Sequence, residues 1–341
     1  GTMAGIQVVD AYTGTKHDVT LTTDGTWKGV GPVAWSPAWV DSTAEAGTYA
    51  SITSNVAGGA ILTIGTSESV TTDAVVLTGA STSDLTISGG SLNLIGPGIL
   101  RIDSADRTLT INSTLSGTVN IAGLGTLALG ATTLNVGDTQ DRAFLGTLKG
   151  IAGSHLVKKG SGKQSIAKLD LTTYLGTIDI QEGTLEIGST FKTLVTDKVT
   201  ATENCQFVLN MMNDGGESTG AGVSIINLGD AFRGNLVINS GVFALNNTMS
   251  AKGTNIGTAK LHLKGGTTFL IRNGISDGSN VFANDILLGS GDTYLRTYGS
   301  VNATISSKIS GEGVVLEAWN MLHRTDGGTI NLTGTINYQG I

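Results

Sequence analysis

The residues best suited to bind a ligand are aromatic and charged side chains that alternate along two short segments. The segments hold Tyr294, Arg296 and Tyr298, and then Glu317 and Trp319. Alternate residues of a strand point to the same face, so each segment predicts a strip on the outside of a sheet. Exposed aromatic rings beside polar groups can stack on sugar rings. These five residues therefore form our predicted ligand-binding strip, with packing in the core as the other interpretation.

Carboxylates are the other residues that could do chemistry, because a pair of them can cleave a glycosidic bond. Such a pair needs a separation of about 5–10 Å and pKa values tuned apart. Asp179, Glu186 and Glu317 are candidate outward acids, but sequence spacing does not pair them. The chain has no Gly-x-Ser-x-Gly elbow and a lone cysteine, Cys205. The sequence predicts no catalytic residues, and a carbohydrate-active enzyme stays the alternative.

Motifs for metal ions and nucleotides give no site. No two histidines lie at metal-ligand spacing among His17, His155, His262 and His323. His262 lies between two leucines and is expected to face solvent. Residues 29–34 and 123–128 match the pattern G-x-G-x-x-A but lack the helix that a dinucleotide site needs. We predict no metal and no cofactor.

A group of lysines has two interpretations, an anion site or a solvated face. The group consists of Lys158, Lys159, Lys163 and Lys168. The stretch 160–163 lacks the Ser or Thr and the first glycine of a phosphate-binding loop. We therefore predict a solvated basic face.

Composition restricts the class of protein. The chain has 341 residues, of which 50 are glycine and only 14% are charged. It is too rich in aliphatic residues for a disordered chain, its glycines have no three-residue period, and no apolar run is long enough for a membrane-spanning helix. The net charge of −7 argues against nucleic acid or an anionic membrane as partner. We expect no membrane insertion by this chain.

Short triplets with aliphatic ends predict strands. Seven follow one another, starting at Leu85, Leu92, Leu100, Leu109, Val119, Leu127 and Leu134. Alternation sends both ends of a triplet to one face and its polar centre to the other. Small residues separate the triplets, and two-residue hairpin turns are missing between most of them. Three triplets would make one turn of about two dozen residues, which favours an all-β parallel solenoid, or β-helix, over hairpins.

An internal repeat supports the solenoid. The pattern that runs from Tyr174 to Ile187 returns from Phe232 to Leu245, 58 residues later at each matching position. Both copies are an aliphatic strand, a glycine turn and a second aliphatic strand. Such a unit cannot bury its apolar side alone, so it must stack on others.

The two ends of the chain differ from its middle. Residues 1–50 hold three of the four tryptophans, and we predict that they form an N-terminal cap. Residues 51–341 are predicted to form the β-helix, which stops inside a repeat, so we expect the natural protein to continue past Ile341. Gln140–Gly153 and Glu317–Arg324 are the only weak helical candidates.

With these residues in view, the chain resembles a known family. Leu156 to Gly162, then Leu169 to Gly176, then Gly183 to Gly188 resemble the passenger-associated transport repeat of autotransporter-like bacterial surface proteins. A second, degenerate copy runs from Ile309 to Gly340 but lacks the Lys-x-Gly step. The resemblance involves about a third of the chain. It implies a right-handed parallel β-helix, export to the cell surface or medium, and no catalytic residues.

The resulting functional hypothesis is a non-enzymatic, exported stalk or adhesin. The expected partners are an extracellular glycan or a protein on a host or neighbouring cell. Two other hypotheses stay open: the carbohydrate-active enzyme, and an assembly module that associates through its coil ends.

Overall fold

The chain folds as an all-β protein. The computed structural model describes residues 15–21, 24–28, 34–36, 48–188, 198–211, 224–225, 228, 231–246, 256–272, 281–298, 301–312, 319–320 and 329–339. Over these ranges there are strands and turns and no helix, so no helix there could cross a membrane. The strands stack in parallel as a β-solenoid of about 10 turns. The predicted fold class is confirmed.

The chain divides into two compact units, Gly1–Leu185 and Glu186–Ile341. The strands of the first unit are β1 (Thr15–Leu21), β2 (Gly25–Lys28), β3 (Ala34–Ser36), β4 (Thr48–Ser54), β5 (Ala60–Leu77), β6 (Leu85–Ile102), β7 (Thr108–Ile111), β8 (Thr114–Ser116), β9 (Thr118–Gly123), β10 (Thr126–Leu129), β11 (Thr133–Val136), β12 (Arg142–Gly150), β13 (His155–Lys158), β14 (Lys163–Lys168) and β15 (Thr177–Ile180). The division between the units falls inside β16 (Thr184–Gly188).

In the first unit, the strands from β5 to β15 lie in parallel on strands of neighbouring turns. One ladder runs through β5, β6, β7, β10 and β12, with Leu85 paired to Leu109 and Leu109 to Leu127. A second ladder joins β11, β13 and β15. The strands β5 and β6 each have 18 residues, and β6 continues through the corners between the triplets predicted at Leu85, Leu92 and Leu100. A solenoid requires parallel pairing between strands of successive turns.

The aliphatic triplets form the core of the first unit. Both ends of every triplet are 6% exposed or less, as in Leu85, Ile87, Leu92, Leu94, Leu100, Ile102, Leu109, Ile111, Val119, Ile121, Leu127, Leu129, Leu134 and Val136. The central residues are half-buried, apart from Asn120, which is 3% exposed. The predicted alternation is therefore confirmed, and it gives continuous columns of Leu, Ile and Val inside the coils.

The second unit is built in the same way from three ladders. Its strands after β16 are β17 (Val199–Ala201), β18 (Gln206–Asn210), β19 (Ser224–Ile225), β20 (Asn235–Ser240), β21 (Val242–Asn246), β22 (Lys260–Leu263), β23 (Thr268–Arg272), β24 (Val281–Phe282), β25 (Ile286–Leu288), β26 (Tyr294–Tyr298), β27 (Ala303–Ile305), β28 (Ile309–Glu312), β29 (Trp319–Asn320), β30 (Ile330–Leu332) and β31 (Ile336–Gln339). The ladders are β18–β20–β22–β25–β28–β31, the five-stranded sheet β19–β21–β23–β26–β29 and the three-stranded sheet β24–β27–β30.

Phenylalanines fill the interior of the second unit. Phe243 and Phe269 are paired in register, and their rings stack with centroids 5.5 Å apart. The ring of Phe282 meets Phe269 edge-on at 5.0 Å. All three are 1% exposed or less. Aromatic pairs in these arrangements contribute about 0.5–1.5 kcal/mol beyond the burial of their area.

The 58-residue repeat is a local structural unit and not the stacking period. Gly183 and Gly241, at matching positions, both have positive φ angles, 68° and 82°, between their two strands. Stacking occurs at shorter separations, since Phe207 pairs with Leu236 and Leu236 with Leu261. The predicted strand–turn–strand unit is confirmed.

Other predictions fall on strands or on residues that the structure does not describe. Within residues 1–50, β1 pairs with β4 in parallel and β2 with β3 in antiparallel fashion; most of the remaining segment lies outside the described residues, so the cap stays a prediction. The helical candidate Gln140–Gly153 is wrong, because it contains β12, in which alternate residues such as Phe144 and Leu148 are buried. The candidate Glu317–Arg324 contains β29 and otherwise lies outside the described residues.

Candidate functional site

The five-stranded sheet of the second unit carries the predicted ligand-binding strip. β26 lies between β23 and β29 and is paired with both in parallel. Leu295 is 2% exposed and belongs to the core. Its neighbours Tyr294 and Arg296 therefore face away from the core, and both are half-buried. One strand thus places a phenol and a guanidinium on the same outer face.

Tyr294 and Arg296 contact each other on that face. The Cζ atom of Arg296 lies 4.8 Å from the centroid of the Tyr294 ring, within the range of a cation–π interaction. Such a contact contributes about 0.5–1 kcal/mol at an exposed site. The pair offers a ligand an aromatic ring next to a planar cation with several N–H donors. This arrangement suits binding and has no nucleophile or base of its own.

The backbone brings further members of the predicted strip next to this pair. Arg296 pairs with Trp319, so the two Cα positions lie on neighbouring strands about 5 Å apart. Tyr298 is the last residue of β26. The structure describes the backbone of Tyr298 and Trp319 but not their side chains, and Glu317 lies outside the described residues.

Arg272 is a neighbour of the strip that sequence reasoning missed. It is the last residue of β23 and pairs with Tyr298. The strands of this five-stranded sheet contain Arg272 and Arg296 and no acidic residue. No local pattern pointed to it, because β23 pairs with β26 only through the stacking of separate coils.

Two of the acids considered for catalysis have partners within their own unit. The Oδ2 atom of Asp179 accepts a hydrogen bond of 2.7 Å from Nε2 of Gln181. Glu186 is 7% exposed, and its Oε1 atom accepts a 2.9 Å hydrogen bond from Nδ2 of Asn210. Asn239 donates in turn to Asn210 over 2.8 Å. The expectation that Glu186 is an outward, exposed acid is corrected. Its carboxylate is buried and accepts a hydrogen bond from Asn210, which in turn accepts one from Asn239.

Several aspartates bind backbone amides of the next coil, and we call them the corner aspartates. Their Oδ1 atoms accept from N–H groups 22 to 37 residues later: Asp24 from Ile61 at 2.9 Å, Asp84 from Thr108 at 2.9 Å, Asp141 from Lys163 at 2.9 Å and Asp285 from Lys308 at 3.3 Å. A carboxylate that accepts a backbone N–H satisfies a donor left unpaired where a strand begins. These acids therefore have a structural role.

Lys158 corrects the predicted solvated face of lysines. It is 0% exposed and lies in register between Val136 and Ile180. Its Nζ atom donates to the backbone oxygens of Lys159 at 2.7 Å, Gly160 at 2.6 Å and Glu182 at 3.1 Å. Three carbonyls match the three donors of an ammonium group, which is why the buried charge is tolerated.

Asp138 forms the other charged cluster of the first unit. Arg142 donates to its Oδ2 atom over 3.1 Å from Nε and 2.9 Å from Nη2, and Asn120 donates over 2.9 Å. Burial raises the pKa of the Asp138 carboxyl, but the hydrogen bonds from Arg142, Asn120 and the Gln140 amide outweigh it and leave the pKa below its ordinary value. The ion pair and these hydrogen bonds connect the loop at residues 138–142 to Asn120 of β9.

The structure describes the side chains of two histidines, His155 and His262. His155 is hydrogen-bonded through Nδ1 to Oγ1 of Thr177 at 2.6 Å. His262 is half-buried on the outer side of β22; burial lowers its pKa below the ordinary value, and the nearby charge of Lys264 lowers it further. Within the described part of the chain, no three His, Cys, Asp or Glu residues could hold a metal ion.

The glycine motif at residues 123–128 is a solenoid corner. Gly123 has a φ of 100°, and the chain continues into β10 and not into a helix. It therefore cannot offer the helix N-terminus that a dinucleotide pyrophosphate needs. The other match, residues 29–34, lies almost wholly outside the described residues.

The fold and this outer face define a parallel β-solenoid protein with a candidate binding strip. No protein-family model, curated protein or solved structure matches the chain.

Proposed function

We propose that this protein is a non-enzymatic binding scaffold in which the solenoid presents the outer face of β26 to a ligand. The observation that carries the proposal is the contact between Tyr294 and Arg296 on a strand fixed by parallel pairing on both sides. Regular backbone hydrogen bonds hold such a face rigid, so a ligand meets groups already in position.

We further propose that the protein is exported and acts at a bacterial cell surface as a stalk or adhesin. The residues from Leu156 to Gly162, which resemble the transport repeat, form a buried strand and a turn around Lys158. Gly183 of the same motif is also a turn residue. These structural roles are what the resemblance to autotransporter passengers implies. The proposed partners are an extracellular glycan or a surface protein of another cell.

Binding to cells tests the scaffold function. We expect the purified chain, labelled with a fluorophore, to bind bacterial or host cells, and Tyr294→Ala to weaken that binding. Leu287→Ala is the matched control, because Leu287 is 42% exposed on a different ladder of the same unit. Equal binding by both variants and the parent chain would contradict a binding role for the strip.

Export is tested in cells that make the full-length protein. We expect external protease to remove the solenoid from intact cells and antibodies to label their surface. Protection from protease until the cells are lysed would contradict surface display.

The enzymatic alternative is tested directly. Polysaccharides incubated with the purified chain should keep their chain length. Cleavage that Asp179→Asn or Glu186→Gln abolishes would overturn the non-enzymatic proposal, because each substitution removes one carboxylate with little change in volume.

A further inference from the structure

The corner that holds the ammonium group of Lys158 is assembled from three successive coils. The turn at Lys159 and Gly160 gives two carbonyl oxygens, and Glu182 of the following coil gives the third. Gly137 of the preceding coil lies against the same group, because a Cβ atom there would be 3.1 Å from both Cε and Nζ of Lys158. Backbone atoms of three coils therefore surround one ammonium group, and we call this arrangement the Lys158 corner.

The neighbours of Lys158 in the stack are aliphatic. Val136 and Ile180 pair with it in register and end the corresponding strands of the preceding and following coils. All three residues are 0% exposed. The carbon stem of the lysine continues this aliphatic column, and its charged end reaches the carbonyls at the corner. An aliphatic residue would satisfy the column, so the charged end of the lysine serves the corner alone.

The acceptors at the Lys158 corner determine which ion it can hold. A primary ammonium group donates three N–H hydrogen bonds, which matches three carbonyl oxygens at 2.7, 2.6 and 3.1 Å. All three acceptors are neutral backbone oxygens. Calcium, in contrast, takes about six to eight oxygen ligands, among them carboxylates. The corner is therefore suited to a small monovalent ammonium ion.

The carbonyls are held in position by contacts that do not involve the lysine side chain. The amide of Lys159 donates to the backbone oxygen of Val136 at 2.8 Å, and the amide of Glu182 donates to that of Lys158 at 3.3 Å. Gly160 has a φ of 74°, which fixes the turn between them. Because the backbone holds these acceptors in place, the corner can bind an ion without first being rearranged.

We propose that the Lys158 corner is a binding site for a primary ammonium ion, and that the chain occupies it with its own side chain. A free ammonium ion of suitable length takes the place of the lysine when the side chain is cut back. The site lies in the first unit and is independent of the binding strip on β26.

Chemical rescue of a truncated lysine tests the site. Lys158→Ala removes Cγ, Cδ, Cε and Nζ, which are the heavy atoms of propylammonium. We expect the urea midpoint of Lys158→Ala to rise with propylammonium concentration and then to saturate, because the folded chain offers the site and the unfolded chain does not. Sodium chloride at the same ionic strength gives the baseline. The parent chain should show no such rise, since Lys158 already occupies its site.

A matched variant and two other ions separate specific binding from general effects. Lys158→Met should not respond to propylammonium, because its longer side chain fills the space that Lys158→Ala leaves open. Tetramethylammonium has the same charge but no N–H donor, so it should leave the midpoint of Lys158→Ala at the baseline. Potassium should raise that midpoint less than propylammonium does, because it does not replace the removed carbon stem.

Four results would overturn the inference. They are no rise for Lys158→Ala, an equal rise for the parent chain or for Lys158→Met, an equal rise with tetramethylammonium, and an equal rise with potassium. If Lys158→Ala does not fold in buffer alone, circular dichroism after refolding in propylammonium replaces the urea midpoint. A chain that stays unfolded at every concentration of the ion would also count against the site.

Discussion

At the residue scale, the ammonium group of Lys158 lies at a corner where it donates hydrogen bonds to three backbone carbonyls. Two of the carbonyls belong to its own turn, and the third, from Glu182, belongs to the next coil. One side chain therefore joins two successive corners. Full hydrogen bonding lowers the cost of burying the cation, and it also satisfies the carbonyls at the two corners.

Replacing this lysine tests that role. Lys158→Met keeps much of the side-chain volume and removes the donors, so we expect the free energy of unfolding to fall by about 2 kcal/mol or more. Lys168→Met is the matched control, because Lys168 is exposed in the same unit and its change should be within about 0.5 kcal/mol. Urea unfolding measures both. Equal midpoints for the two variants would show that the carbonyls do not need the ammonium group.

Tyr174 makes a prediction about alkaline pH. It is 2% exposed, and burial raises the pKa of its phenol to about 12 from the usual 10.0, although a hydrogen bond with Ser154 opposes the shift. The unfolded chain therefore loses its phenol proton at lower pH than the folded chain. Stability should decline as pH rises from 10 towards 12, by about 2–3 kcal/mol in total. In urea unfolding at several pH values, Tyr174→Phe should lose less stability between pH 10 and pH 12 than the parent chain. An equal loss in both would show that the Tyr174 phenol does not cause the decline.

At the element scale, glycine turns join the strands. Two of these glycines, Gly183 and Gly58, have positive φ angles, but only Gly183 is closely packed, so the cost of left-handed strain can be compared with the cost of a steric clash. Gly183 has a φ of 68°, and a Cβ atom there would lie 2.5 Å from the oxygen of Gly160. Gly58 has a φ of 87° with open space around it. Gly58→Ala should cost about 1–2 kcal/mol from left-handed strain alone. Gly183→Ala should cost clearly more, and equal unfolding midpoints would argue against close packing of the coils at that corner.

Sequence patterns predicted the strands well because a solenoid buries its residues by simple alternation. The triplets from Leu85 to Val136 follow that rule. The same rule places Lys158 inside, two residues after buried Leu156, yet its residue type suggested a surface position. Stacking register depends on coil length, which varies, so the sequence did not reveal that Arg272 pairs with Tyr298. In β6, Gly89, Gly90 and the Gly96-Pro97-Gly98 segment predicted breaks between strands, yet the strand continues through both corners.

The binding strip was predictable only within one strand. Alternation along β26 placed Tyr294 and Arg296 on the same outer face, as the structure has them. Neighbours from other strands depend on which coils stack, as the pairing of Arg296 with Trp319 shows. The engagement of Glu186 by Asn210 likewise depends on contacts between strands that local patterns do not contain.

At the scale of the whole molecule, acidification should destabilise the protein in two stages. The folded pKa of His262 lies below 6.5, so the unfolded chain binds more protons and stability falls once pH drops below 6.5. The folded pKa of Asp138 lies below 3.8, so its contribution is present above 3.8 and is lost as pH falls through the folded value. Urea unfolding between pH 7.5 and pH 3 measures both stages.

Two substitutions separate these stages. His262→Gln should remove the decline just below pH 6.5 and leave the later one. Asp138→Asn should keep the decline below pH 6.5 and remove the decline below pH 3.8. Its stability at neutral pH should be lower than that of the parent chain, because the ion pair with Arg142 is lost. If His262→Gln declines like the parent chain below pH 6.5, the first stage has another origin.

The corner aspartates have a consequence for how such a chain can grow. The acceptor at each corner, such as Asp84, precedes its donor, the amide of Thr108, by one full coil. A duplicated coil that carries its own aspartate would therefore provide a carboxylate for the amide of the next coil. Its own amide would bind the aspartate of the preceding coil. Lengthening by whole coils needs no compensating change elsewhere, whereas an insertion of half a coil would leave an acceptor and a donor without each other.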